Sequence, residues 1–433
     1  MTDRNSVSAA GDAEGVDPGG WRTLDGRAAD DRRRASGGSL RAERRTRGRL
    51  TAGLGGLALL AGILSACGSS SHSASSSATT ASGSAATTTA NAPTSAPASS
   101  GKAVSMKLEI YLGSFYTWLP YVASAEGFFA KNGINAHIIG ITSGGPVAFA
   151  ALANGSADVA MGDLSLSGPL LEKGVGLTLI SGAVKGGWQL VAPKGSAAPT
   201  TYPSNVTYLK SKPVGVVSLG SSSYYFLQQL AVAAGLGSSG VSYTALGGLP
   251  ADAVSALGAN RVAAAMVSPD LGYYLTNIAG DKLLFNFSST QALSGAGGLL
   301  GSIAGDAGSG MWARNGWLSA NPGVAAKFQL AMDEADVWMH NPANLTKLIS
   351  TLQAEKDLAA FEQGAGAPKF FAYALPLIIA SEPGGESGTA NVMNFWVKTG
   401  LLSHTIPVSK WYSSTTPATE AQVTAAASAA GVS

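Results

Sequence analysis

Between residues 106 and 290, short apolar runs alternate with stretches of helical period, and that alternation predicts most of the elements. The runs at 106–112, 134–141, 157–161, 178–183 and 188–192 have the length and the Ile/Val/Leu content of buried strands. Between them the pattern predicts a turn at 113–119 and helices over 120–130, 147–153 and 166–173, the first opening on Pro120. Residues 194–205 are rich in Pro, Ser and Thr and read as a crossover between two lobes. A second series follows, with strands at 213–218, 241–246, 262–267 and 281–287. Its helices follow Ser223, run over 250–257, and start at Pro269. Repeated β-α-β of this kind implies α/β lobes, each a parallel sheet with helices on both faces. The Gly-rich stretch 291–310 has no clear period and is expected to carry the return crossover. A helix is expected over 321–339, capped by Asn321, with Val324, Phe328, Ala331 and Ala335 on one face; 342–400 reads as all-helical.

Candidate chemistry concentrates in the turns. The run 214–217 feeds Leu219-Gly220-Ser221-Ser222-Ser223, and a helix opens there with Phe226, Leu227 and Leu230 on its apolar face. Such a turn aims backbone N–H groups and hydroxyls out of the strand edge at the positive end of a helix dipole, a cradle for an anion. The alternative is a serine run that only caps the helix. The earlier half builds a similar edge, and in open α/β sheets ligands bind outside the carboxyl ends of strands. The candidate ligand residues are therefore Phe115, Tyr116, Trp118, Ser143, Gly144, Asp163 and Trp188 from one half. The other half offers Ser221, Ser222, Ser223, Tyr225 and Asp270. Aromatics in such turns either stack on a ligand ring or pack the rim. Asp163 either pairs with a ligand amine or caps the next helix. Gln189 lies near these turns; Lys185 either meets an anion or is solvated surface.

Residues 1–40 are polar and aperiodic and are expected to be disordered. Arginines at 41–49, an apolar run at 50–66 and small residues follow in the order of a secretory signal peptide. The run is short and Gly-rich for a spanning helix. It ends Leu64-Ser65-Ala66-Cys67, which resembles the bacterial lipobox and implies cleavage before Cys67 and diacylglycerol on its sulfur. A plain signal peptide or a retained anchor helix is the alternative. Residues 69–100 are almost all Ser, Ala and Thr, a tether too polar to build a core. The expected division is 1–66 leader, 67–103 tether, 104–197 first lobe, 203–298 second lobe, 305–412 return and C-terminal helices, and 413–433 flexible tail.

Composition narrows the function. Charged residues are 12% and the net charge is +2, with arginines crowded before residue 50, so the globular part has no basic field for nucleic acid. The single Cys excludes an internal disulfide, and His72, His137, His340 and His404 make no pair at metal-ligand spacing. No cofactor is expected.

Four stretches in order carry a family resemblance. They are Ala125-Glu126-Gly127-Phe128-Phe129 with Asn132-Gly133-Ile134-Asn135, then 151–160 (ALANGSADVA), 209–230 and 253–270. They resemble the substrate-binding proteins of ABC importers, of the nitrate/sulfonate/taurine type that also includes binders of thiamine-pyrimidine precursors. Ser211, Asn260-Arg261 and Ala263 depart from the pattern, and the likeness is good over about 106–275. It implies a two-lobed periplasmic-binding-protein fold of type II, closing by hinge bending over a small sulfonate, nitrate or pyrimidine-like molecule. It also implies no enzymatic activity, a monomer, and ABC permease and ATPase partners, at a bacterial membrane outside the cytoplasm. A surface sensor or adhesin, or an enzyme of the pyrimidine-precursor synthase type, are the alternatives.

Overall fold

The alternation at Met106, Leu108 and Ile110 is that of a strand, and all three are fully buried in Val104–Tyr111 (β1) of the computed structural model. That structure describes residues 102–413 apart from 112, 142, 355–365 and 382–383. The leader, the tether with Cys67 and the tail after 413 lie outside the described residues. The described residues belong to a compact unit, Ala96–Ser433.

After β1 the chain makes a single 3₁₀ turn, Phe115–Thr117, and the helices Trp118–Ala125 (α1) and Phe128–Lys131 (α2). The one long helix expected here is thus two, parted at Glu126-Gly127. Ile134–Ile141 (β2), Gly145–Asn154 (α3), Val159–Gly162 (β3), Leu164–Glu172 (α4), Leu177–Lys185 (β4) and Gln189–Ala192 (β5) follow. The next series is Pro213–Val216 (β6), Ser222–Ala233 (α5), Ser242–Ala245 (β7), Pro250–Gly258 (α6), Ala264–Val267 (β8), Pro269–Asn277 (α7) and Lys282–Asn286 (β9). Thr290–Ala296 (α8) leads to Gly308–Arg314 (β10), Asn315–Ala320 (α9) and Val324–His340 (α10). Leu345–Ala354 (α11), Ala367–Ala374 (α12) and Gly385–Lys398 (α13) complete the chain's main elements. The cap of α10 is Gly323 rather than Asn321, whose side chain instead donates to Trp317 O at 2.8 Å and closes α9.

The strands form two five-stranded sheets of matching topology, β2-β1-β3-β10-β4 and β7-β6-β8-β5-β9. Two expectations are corrected here. The sheets are mixed rather than all-parallel: β10 runs antiparallel between β3 and β4, and β5 antiparallel between β8 and β9. Moreover β5, placed by sequence in the first lobe, belongs to the second sheet. Each exception has the same cause. The chain that crosses from one lobe to the other enters the new sheet as its reversed strand, β5 going out and β10 coming back. The stretch expected to be a bare return crossover therefore ends inside the first sheet.

The two crossings lie side by side. Gly186 N–H donates to Ala307 O at 2.7 Å, Phe287 N–H to Trp188 O at 2.9 Å, and Gly187 N–H to Ser288 Oγ at 3.3 Å. Two crossings that run side by side between lobes, joined by a few hydrogen bonds, are the place for a hinge.

The C-terminal helices are not confined to one lobe. Trp396 of α13 packs edge-on against Phe226 of the second lobe, ring centroids 5.2 Å apart, while α13 also packs on α4 of the first. Tyr373 of α12 accepts from Gln189 Nε2 at 2.7 Å. Buried Glu334 of α10 ties down α2, taking Lys131 Nζ at 2.7 Å and Asn132 Nδ2 at 2.9 Å. Trp118 is fully buried, stacked on Phe371 at 4.6 Å with a 19° tilt and edge-on to Phe370. Burial of a side chain of that size contributes about 3 kcal/mol or more.

Candidate functional site

In both sheets the parallel strands end toward the same gap. From the first lobe come the ends of β1, β2 and β3, with Tyr111, Ser114, Tyr116, Gly144 and Asp163; from the second come Ser221 and Ser222 after β6, Gly247–Pro250 after β7 and Ser268 after β8. They enclose a cavity of about 100 Å³ between the sheets. One water needs ~10–15 Å³ on this measure, so the space equals roughly seven to ten waters, a single-ring molecule. The lobes approach closely at its edge: a Cβ on Gly144 (φ +83°) would sit 3.1 Å from Val217 Cγ1.

Six of the residues singled out by sequence line this cavity: Tyr116, Gly144, Asp163, Trp188, Ser221 and Ser222. The other six are not brought to it. Phe115 lies behind Tyr116, ring centroids 4.8 Å apart, and its N–H donates to Asp270 Oδ2 at 3.4 Å. Asp270 is itself buried, next to the lining residue Leu271. Trp118 belongs to the aromatic core just described. Ser223 faces into its own turn, Tyr225 packs edge-on against Tyr224, and Ser143 is exposed. Gln189 binds Tyr373 as described, and Lys185 does not line the cavity. Sequence reasoning missed Tyr111, whose hydroxyl donates to Met161 O at 2.7 Å, together with Ser268, Ser309 and the 246–250 loop. Ser268 was findable, since it stands before Pro269 at a strand-to-helix turn of the same design as Ser221. Ser309 was not, because β10 was read as connection.

The serine turn is built differently from the expected cradle. Ser221 caps α5, and its Oγ donates to Ser218 O at 2.6 Å and accepts from Tyr224 N–H at 3.4 Å. Ser223 Oγ accepts from Val217 N–H at 3.0 Å and pairs with Ser221 Oγ at 2.9 Å. The Ser221 and Ser223 hydroxyls are thus engaged within the turn, whereas the Ser222 and Ser223 N–H groups that open α5 take no part in those bonds; Ser221 and Ser222 both line the cavity. Of the two roles expected of Asp163, the helix cap is present. It caps α4 through Ser165 N–H, which reaches Oδ1 at 2.8 Å, and it presents its carboxyl to the cavity.

The electrostatics follow. Burial pushes the Asp163 carboxyl above the usual carboxylate range, opposed by hydrogen bonds from Ser165 and by the nearby Ser222. Burial likewise raises Asp270. The Tyr116 phenol is raised well above its ordinary value by burial, and further by the nearby charges of Asp270 and Asp163. Among the described lining residues there is no Lys, Arg or His. Groups of three or more potential metal ligands are also absent among the described residues.

No family model and no curated protein matches this sequence. Solved structures do match its shape. The alkanesulfonate-binding protein SsuA from Xanthomonas axonopodis pv. citri, bound to MOPS, superposes with a TM-score of 0.55 at 16% identity, covering 72% of this chain and 100% of that one. The ligand-binding component of an ABC-type import system from Staphylococcus aureus, with zinc bound, gives 0.53 at 14% identity, covering 71% and 96%. A Candida albicans protein described as having the generic periplasmic binding protein fold gives 0.52 at 13% identity, covering 71% and 95%. The chain has the periplasmic-binding-protein fold. At these identities the likeness is one of fold, and the chemistry must come from the cavity itself.

Proposed function

We propose that this protein captures a small molecule between its lobes and hands it to an ABC importer, from a tether lipidated at Cys67. The observation that carries the reading is the cavity at the meeting of two sets of strand ends, in lobes joined by a paired hinge. Ligand capture by such a clamp is hinge closure. Two of the similar structures are named for this role, one as an alkanesulfonate-binding protein and one as a component of an ABC-type import system. The lipobox-like Leu64-Ser65-Ala66-Cys67 and the Ser/Ala/Thr tether fit a globule held near a membrane. The candidate ligand residues are Tyr116, Gly144, Asp163, Trp188, Ser221 and Ser222.

Native mass spectrometry of the protein purified from its own host tests capture: a small molecule of constant mass, released unchanged on denaturation, is expected. Protein that carries nothing, and that no solute from a host extract stabilises thermally, ends the proposal. Intact mass of the membrane-extracted chain tests the anchor. A diacylglyceryl increment should be present in the wild type and absent in Cys67→Ala.

A further inference from the structure

Every basic residue of the second lobe lies at one end of it. Residues 189–298 carry Lys194, Lys210, Lys212, Arg261 and Lys282 against Asp252, Asp270 and Asp281. Strand register brings the five cations together. β6 and β8 run toward the gap, and Lys210, Lys212 and Arg261 stand just before them, where Ala263 N–H donates to Pro213 O at 2.7 Å. β5 runs the other way, with Ala192 beside Lys282, so Lys194 emerges at the same end. Asp252 and Asp270 are at the gap end, in the first turns of α6 and α7. Only Asp281 shares the basic pole, where it accepts from Lys194 N–H at 2.7 Å. Resting on the tethered reading above, we infer that this pole, remote from the cavity, is a surface that seats on the anionic headgroups of a lipid bilayer.

The cations are massed rather than dispersed. Lys212 Nζ lies 3.1 Å from the centre of the Tyr208 ring, and Lys282 Nζ donates to Ser196 O at 2.6 Å. Both charges bear on the Tyr208 phenol, Lys212 the more strongly. Among the described residues none of the five side chains is in an ion pair. Such a cluster attracts an anionic surface within a Debye length of about 8 Å at physiological salt. Apolar side chains stand among the cations. Ile278, in the turn after α7, is 48% exposed, and Leu283, next to Lys282, is 38% exposed. Aliphatic groups inside a basic patch suit the boundary between headgroups and acyl chains, and gain nothing from a soluble anion. A tether to the same membrane raises the effective concentration to the order of millimolar, at which a weak contact is occupied. With this pole on the lipid, the gap at the other end of the strands opens away from the membrane, and transfer to a permease requires the pole to lift.

The chain from Gly68 keeps the whole compact unit and carries no lipid, so it can be cosedimented with vesicles of phosphatidylcholine, with and without phosphatidylglycerol. Binding to the anionic vesicles alone, released as salt rises well above ~0.15 M, is expected. Lys210→Glu with Arg261→Glu should weaken binding by about tenfold or more. Lys173→Glu with Lys327→Glu, the same charge change at exposed residues outside the second lobe, should leave it within about threefold. Ile278→Ser should weaken binding without changing its salt dependence. Equal binding to neutral vesicles, binding to neither, or the two charge variants behaving alike overturns the inference. So does soluble polyphosphate bound as tightly as the vesicles with Ile278→Ser without effect, which assigns the pole to a soluble polyanion. The chain tested lacks Cys67, so none of these outcomes bears on the anchor, which intact mass decides separately.

Discussion

Asp163 of the first lobe and Ser222 of the second line the same gap, near enough that Ser222 bears on the Asp163 carboxyl. One residue follows β3 in the first sheet and the other opens α5 in the second, so each half contributes a polar group to the cavity. The carboxyl is buried, so what it contributes to stability depends on whether it holds a proton.

That dependence has a sign. Burial raises the Asp163 pKa, so the folded protein binds this proton more tightly than the unfolded chain does. The stability it contributes is present below the unfolded carboxylate pKa and is lost as pH rises from there through the folded value. Asp163→Asn removes the dependence. Thermal melts from pH 4 to 7.5 should show the wild type falling relative to the variant as pH rises; parallel curves would show that the carboxyl is not buried as described.

His340 should act in a different window. Its Nδ1 lies 2.9 Å from Asp336 Oδ1 and its Nε2 lies 2.9 Å from Leu375 O, so both ring nitrogens face acceptors and the imidazolium is favoured. Its pKa is pushed up to about 9, chiefly by the Asp336 carboxylate. The stabilisation is complete below the unfolded histidine pKa and disappears as pH rises through about 9. Wild type compared with Asp336→Asn by chemical denaturation should converge in stability between pH 6.5 and 9.5, the wild type starting higher.

Two tryptophans that sequence treats alike should behave oppositely. Trp118 is fully buried in the aromatic core, and Trp118→Ala should cost about 3–5 kcal/mol on unfolding. Trp188 is only partly buried and lines the cavity. Trp188→Ala should leave the melting temperature within a few degrees yet weaken whatever molecule co-purifies. Urea denaturation and ligand retention measured on both variants decide the assignment, and a reversed pattern would exchange their roles.

Glycines 186 and 195 make a controlled pair at the hinge and beyond it. Both have left-handed backbones, φ +86° and +82°. A Cβ at 186 would lie 2.6 Å from Ser288 Cα on the neighbouring crossing, whereas at 195 nothing stands within 4 Å. Gly195→Ala should cost about 1 kcal/mol of backbone strain. Gly186→Ala should cost clearly more and spread the crossings, which small-angle scattering would register as a larger radius of gyration.

The strand-and-helix alternation was legible from residue 106 to residue 290, because apolar period reports local structure and local structure is short-ranged. Which sheet a strand joins is not local. Gln189–Ala192 carries nothing that distinguishes a last strand of one lobe from a first strand of the next, and only its antiparallel pairing with β8 and β9 decides it. Gly308–Arg314 has a run of four buried residues and two glycines, without the alternation or length that marks a strand. The site was half legible for a similar reason. Turns at strand ends are visible in sequence, so Asp163 and Ser222 were found. Which way a side chain turns is fixed by tertiary packing: Trp118 turned inward to Phe371, and Ser223 folded back on Val217. That the Ser221 and Ser223 hydroxyls satisfy their own loop is likewise invisible in sequence, where a capping serine and a serine that meets a ligand look alike.

The exchange of β5 and β10 also sets an order of assembly. Residues 189–286 supply every strand of the second sheet without interruption, while the first sheet lacks a central member until residues 308–314 arrive. The half of the molecule that leaves the ribosome first is therefore the half that is finished last, and a chain ended between residues 287 and 307 would hold every strand of one sheet and leave the other with a slot between β3 and β4.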